Sequence, residues 1–191
     1  MHIIVLDTSA FIAGYDPFSS KERGIIVSKV QEEIKINSIV SIRLELAIEN
    51  GIIEVKIPLE EYKMKTIEIA NMLGDSHVLS QTDLDLLAIA LELKSEGLKP
   101  KIVTDDYSMQ NVANQMKIDF IPLATMGINH LLKWIRYCPA CFKKYSNNYK
   151  SKICSICGTK LKRKPERKNR VRKTIKEKRE KQSKIDLQIR K

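Results

Sequence analysis

Four cysteines, all within residues 138–157, constrain this chain more than any other feature of its sequence. They fall as Cys138-x2-Cys141, twelve intervening residues, then Cys154-x2-Cys157. Each C-x2-C knuckle presents two thiolates to one tetrahedral ion, and the loop between the knuckles closes the site. Such clustering in an intracellular chain argues for a metal rather than for disulfides. A module of about 25 residues cannot bury an adequate core, so Zn²⁺ supplies much of the folding free energy of a ribbon over 137–163. Four protein thiolates leave no open position for a catalytic water, which makes the zinc structural. Gly158 follows the second knuckle, where a tight backbone is expected.

The formal charge of +11 is unevenly spread. Residues 160–191 hold 16 Lys and Arg against 4 Asp and Glu, a net of +12, so residues 1–159 are near neutral at −1. A basic tail beside a neutral body points to a polyanion, nucleic acid before an acidic membrane. The first apolar run is short and has no basic leader, and no stretch approaches the roughly 18 to 20 apolar residues of a membrane span. A soluble, cytoplasmic protein with no membrane partner is expected.

Ahead of the ribbon, short apolar runs alternate with helical patterns. IIVLD (3–7), IIEVKIP (52–58), KIVTD (101–105) and DFIPL (119–123) read as strands. IIVSKVQEEIKI (25–36) opens apolar and then acquires helical spacing. Residues 60–73, 83–94 and 107–117 read as helices, and the apolar girdle of DLDLLAIALELK marks the middle one as buried. This alternation predicts an α/β domain with a mostly parallel sheet over residues 1–125. Residues 126–136 read as a linker helix, and 164–191 as a basic, flexible tail in which Val171 and Ile175, like Ile185 and Ile189, are spaced for a helix formed on RNA.

Ligands of parallel sheets bind where the strands end. Two strands here end on carboxylates, at Asp7 and at Asp105–Asp106, and helical segments carry Glu32, Glu33, Asp83 and Asp85. Acids converging there repel by ~4 kcal/mol per pair at ~4 Å and an effective dielectric near 20. A divalent cation relieves that repulsion, and an all-oxygen ligand set selects Mg²⁺ or Mn²⁺. Such ions suit phosphodiester hydrolysis. The alternative reading of Asp83, after Ser80-Gln81-Thr82, is a helix-capping acid. Asp85 lies on another helix face and reads as structural. Periodicity does not choose between Glu32 and Glu33, nor between Asp105 and Asp106. His2, His77 and His130 fall outside these groups and read as ordinary histidines.

In the ribbon, Phe142, Tyr145 and Tyr149 interleave with Lys143, Lys144, Lys150 and Lys152. That mixture suits base stacking beside phosphate contacts. The alternative is that the aromatics cover the zinc.

VLDTSAFI, VQEEI, LSQTDLDLLAIALEL and IVTDDYSMQNVA resemble, in order, the four acidic motifs of the PIN-domain ribonucleases. The resemblance implies a three-layer PIN-like domain in which Asp7, Glu33 and Asp83 are the first three acids. The fourth falls at Asp105 or Asp106, and Thr8, Ser9 and Thr104 are positioning hydroxyls. A PIN domain followed at once by a four-cysteine ribbon resembles, more narrowly, the Nin-one-binding protein family. That resemblance implies a metal-dependent endoribonuclease maturing the 3′ end of small-subunit ribosomal RNA within a pre-ribosomal particle. A toxin-type PIN ribonuclease and a non-enzymatic RNA-binding assembly factor are the alternatives.

Overall fold

The structure is a computed structural model that describes residues 3–34, 38–128, 130–146, 149 and 151–170. The expectations for His2, Lys150 and residues 171–191 lie outside those residues. Five short strands, β1 (Ile3–Leu6), β2 (Arg23–Ile26), β3 (Ile53–Val55), β4 (Lys101–Val103) and β5 (Asp119–Ile121), form one sheet in the order β3-β2-β1-β4-β5. Every pairing in it is parallel.

The connections are helical: α1 (Thr8–Ile12), α2 (Ser28–Glu33), α3 (Ile39–Glu49), α4 (Glu60–Leu73), α5 (Gln81–Ser95) and α6 (Tyr107–Gln115). The chain steps from β1 outward to β3, then crosses back to β4 on the other side of β1. Right-handed crossovers therefore place α1–α3 on one face of the sheet and α4–α6 on the other, giving three layers.

The apolar girdle read in the sequence is the core of α5. Leu86, Leu87, Ala88, Ile89 and Ala90 are at most 1% exposed, and α5 lies between the sheet and α4. β1 is buried along its whole length for the same reason, being central and covered on both faces. Among the described residues, no helix is long and apolar enough to cross a membrane.

The region after the α/β domain differs from expectation. Residues 126–136 do not form a linker helix: His130–Tyr137 is a strand, β6. It pairs antiparallel with the short β7 (Lys144–Tyr145) and along its full length with β8 (Lys162–Arg170). The described part of the basic segment beyond residue 163 is thus the second half of a ladder, not a free tail. Pro165 sits opposite Trp134, where the register shifts, which is where a residue without an N–H is tolerated in a ladder.

Candidate active site

β1 and β4 are neighbours at the point where the strand order reverses, the usual position of a ligand crevice in a parallel sheet. Asp7 directly follows β1, and its N–H donates to the Val103 carbonyl of β4 at 3.2 Å. Asp105 and Asp106 follow β4 on the same edge, Asp83 stands in the first turn of α5, and Glu33 is the last residue of α2. Topology alone brings acids from four segments to one rim.

Hydroxyls fix their directions. The Asp7 carboxylate is only 6% exposed, and its Oδ2 accepts from Ser9 Oγ at 2.6 Å and Thr104 Oγ1 at 2.8 Å. Among the described residues no hydrogen bond reaches its Oδ1. Glu33 accepts from Thr8 Oγ1 at 2.6 Å on Oε2 and from Thr82 Oγ1 at 2.7 Å on Oε1. Each of those threonines adjoins another acid, so the Glu33 carboxylate spans the gap between the Asp7 and Asp83 segments. Among the described residues Glu32 makes no such bond, and it is exposed. Thr82 was not singled out in the sequence, although it stands beside its acid as Thr8 and Thr104 do.

Asp83 and Ser80 form a reciprocal cap: Ser80 N–H donates to Asp83 Oδ2 at 2.7 Å, and Asp83 N–H to Ser80 Oγ at 3.1 Å. The helix-capping reading of Asp83 therefore holds. Burial raises its pKa, and the nearby charges of Asp7 and Asp106 raise it further. Because the native state holds this proton more tightly than the unfolded chain, ionising Asp83 costs stability as pH rises through the shifted value. Asp85 accepts from Gln81 Nε2 at 2.9 Å on its own helix, in keeping with a structural residue.

The adjacent acids at the end of β4 diverge. Asp105 turns to the 123–125 loop, accepting from the N–H groups of Leu123 at 3.1 Å, Ala124 at 3.0 Å and Thr125 at 2.8 Å, and from Thr125 Oγ1 at 2.8 Å. Burial pushes its pKa up, but these donors outweigh burial and hold it below the usual carboxylate range. Asp106 caps α6, with Oδ1 accepting from Ser108 N–H at 2.6 Å and Met109 N–H at 2.8 Å, and its charge is felt at Asp83. Asp105 is committed to the loop, whereas Asp106 has one oxygen on the α6 cap and lies near enough for its charge to reach Asp83.

Among the described residues the four cysteines are the only group of three or more ligand atoms drawn together, and no three of these carboxylates come that close. An open, all-oxygen rim suits a small hard cation that keeps several waters and takes few protein ligands.

The cysteine sulfurs all lie within 4.8 Å of one another, with Cys138–Cys157 and Cys141–Cys154 both at 3.4 Å. Zinc–thiolate bonds of about 2.3 Å set tetrahedron edges near 3.8 Å, so the set fits such an ion. The Cys141 and Ile156 N–H groups each donate to a knuckle sulfur at 3.4 Å. Gly158 has φ +71°, as expected, and Phe142, at the same place after the first knuckle, has φ +58°.

Tyr145 does not offer a base-stacking face. It is 8% exposed, packs against Cys138 and Cys154, and its hydroxyl lies 3.0 Å from Cys154 Sγ. Tyr149 is half-buried beside it, ring centroids 4.5 Å apart. Apolar rings cover the thiols because so small a module has nothing else to bury. Lys143, Lys144 and Lys152 are exposed, as is Phe142.

No local pattern in the chain marks the seam between the two parts. Asp75, just after α4, is 2% exposed and pairs with Arg163 of β8 at 2.9 Å. Arg163 also donates to the Gly74 carbonyl and lies over the Trp134 ring at 4.5 Å. Asn111 of α6 donates to Asp75 at 2.5 Å and exchanges two further bonds with the Leu132 backbone of β6, at 2.8 and 2.9 Å. Burial raises the Asp75 pKa, opposed by Asn111 and Arg163. Arg163→Met is expected to cost about 2–3 kcal/mol in urea unfolding, the low side for a broken buried pair because Arg163 is partly exposed. Unchanged stability would mean that the pair does not hold the seam.

The family described as "PIN domain of ribonuclease" matches residues 4–93. Over 164 residues the chain is 37% identical to Endoribonuclease Nob1 of Methanocaldococcus jannaschii, covering 86% of this chain and 78% of that protein. The chain belongs to the PIN-domain endoribonucleases of the Nob1 family. Endoribonuclease Nob1 of Pyrococcus abyssi is 35% identical over 86% of this chain and 94% of its own length. Ribonuclease VapC1 of Thermoplasma acidophilum is 36% identical over 172 residues, 90% of this chain and 83% of that protein. That match is too long to end with the α/β domain, so it reaches into the ribbon region.

Proposed function

We propose that this endoribonuclease matures the 3′ end of small-subunit ribosomal RNA, cutting the precursor within a pre-ribosomal particle. What supports the reading is the placement of Asp7, Glu33, Asp83 and Asp106 along one sheet edge, in a chain that docks a four-thiol ribbon beside that edge. The similarity to proteins named Nob1 supports the choice of substrate. Asp106, rather than Asp105, is the fourth acid in this reading.

The four carboxylates would hold one or two Mg²⁺ or Mn²⁺ ions, which when bound acidify a water and polarise a phosphoryl oxygen. The chain's own residues prepare that site. Ser9 and Thr104 hold one oxygen of Asp7 and leave the other facing the crevice. Thr8 and Thr82 fix Glu33 between its neighbours. These hydroxyls donate to carboxylates, so they position groups and do not act as nucleophiles. In the ribbon, Cys138, Cys141, Cys154 and Cys157 would hold Zn²⁺ in a structural role.

Because the Asp83 proton competes with a cation, activity is expected to fall as pH drops through the raised Asp83 value. That acid limb should move to lower pH as Mn²⁺ is increased. An acid limb independent of Mn²⁺, measured in pH–rate profiles at two concentrations, would detach Asp83 from the metal.

A toxin-type reading is favoured by the name VapC1. The test is cleavage of a precursor small-subunit rRNA fragment spanning the mature 3′ end, beside unrelated RNAs. One Mn²⁺-dependent cut at that end supports maturation. Scattered cuts in all the RNAs would replace it with the toxin-type reading, and binding with no cut, in the fragment or in the assembled particle, with an assembly factor.

A further inference from the structure

Where the ribbon meets the α/β domain there is a cleft of about 250 Å³ lined by His77, Arg136, Lys152, Lys160, Lys162 and Arg163. No Asp or Glu lines it. Arg163 is neutralised by Asp75, but among the described residues Arg136, Lys152, Lys160 and Lys162 have no carboxylate within ion-pair distance. Arg136 instead donates to the Tyr149 carbonyl at 2.9 Å.

The fold holds these cations together. Arg136 pairs with Arg163, and Tyr137 with Lys162, across the β6–β8 ladder. Ile153 bridges Lys160, and the Leu161 N–H donates to the Lys152 carbonyl at 2.9 Å. A concave site lined by one sign of charge focuses its potential and concentrates counter-ions.

The cleft is joined to the acidic edge through the chain. Gly74 and His77 on its wall belong to the segment that runs on to Asp83, and Asp75 feels the charge of Asp106.

We infer that this seam cleft is a phosphate-binding site that grips the RNA backbone beside the phosphodiester presented to Asp7, Glu33, Asp83 and Asp106. The inference rests on the nuclease reading above. It gives the seam a second purpose: the contact that fixes the ribbon against the domain also aligns the cations with the cutting edge.

The test uses the full, zinc-loaded chain and a fluorescent single-stranded RNA, without added Mg²⁺ or Mn²⁺. The triple variant K152Q/K160Q/K162Q removes three exposed seam charges, and R172Q/K173Q/K176Q removes three from the tail as a control. The seam variant is expected to raise Kd about 10-fold or more, and to flatten the log–log salt slope by about 2, at ~0.7 per phosphate contact. The tail variant should change both by less than half as much. In the wild type, bound RNA should protect Lys160 and Lys162 from acylation.

Equal losses in the two variants, or no protection, would overturn the seam site, since total charge would then suffice. With Mn²⁺ added, the seam variant should raise KM while kcat stays within about twofold, as expected for lost ground-state binding. If wild type cuts and the seam variant binds normally, the cleft is refuted and the nuclease reading survives. If the seam variant loses binding but wild type cuts no RNA, the nuclease reading fails and the cleft stands.

Discussion

Asp7→Asn is expected to abolish RNA cleavage while leaving the protein folded and able to bind RNA. Asparagine has the shape of aspartate, and its carbonyl oxygen can still accept from Ser9 and Thr104, so the local hydrogen bonds survive. What is lost is the charged oxygen on the crevice side. Removing a partner that merely orients a ligand costs about 10–100-fold, so loss of the ligand itself should exceed about 100-fold. Ser9→Ala, which removes only the orienting hydroxyl, should fall within the smaller range.

The thermal midpoint should not fall, because Asp83 loses a like-charged neighbour. The matched pair Asp105→Asn and Asp106→Asn divides the last assignment. The first should lower stability, since four donors from the 123–125 loop lose a charged acceptor, whereas the second should lower activity. Cleavage at the parent rate by Asp7→Asn would remove the acids from the mechanism.

The second large effect is expected at Cys154→Ser. Cys154 is 2% exposed, and its sulfur lies against Cys141, the Tyr145 hydroxyl and the Ile156 N–H. Among the described residues the ribbon buries little besides Cys138, Cys154 and Tyr145, with Tyr149 and Leu161 at their edge. No hydrophobic core stands ready to replace the metal, and structural zinc sites contribute about 10–16 kcal/mol of apparent binding free energy. The variant should lose its zinc, measured by elemental analysis, and become open to protease between the knuckles. The α/β domain, with its own core, should keep its helical signal. A full complement of zinc in Cys154→Ser would mean that the ligand set is wrong.

The parts of this molecule that announce themselves in sequence are those set by local pattern. The α5 girdle, the strands ending at Asp7 and Asp105–Asp106, and the cysteine knuckles each follow from neighbouring residues. The rest depends on distant ones. Nothing in KRKPERKNR reads as a strand. It becomes one because β6 offers an unpaired edge, so the pairing partner overrides propensity. Residues 126–136 read as a linker helix for the converse reason, since the strand that pairs with β6 lies outside any local window. Asp105 and Asp106 are neighbours with the same side chain, and only the 123–125 loop distinguishes them. Tyr145 carries no mark of burial until the thiols are assembled around it.

The β6–β8 ladder changes how costly it is to assemble the metal site. It joins Tyr137 to Lys162, and Asn111 and Asp75 pin both strands to the α/β domain, so residues 138–161 form a loop whose ends already meet. The chain-closure entropy is lost in forming the ladder, before four thiols must find one another, and only the smaller search within the loop remains. The ribbon within the whole protein should therefore hold its ion more tightly than the same residues cut out as a free peptide, and weakening the ladder far from any cysteine should loosen the metal.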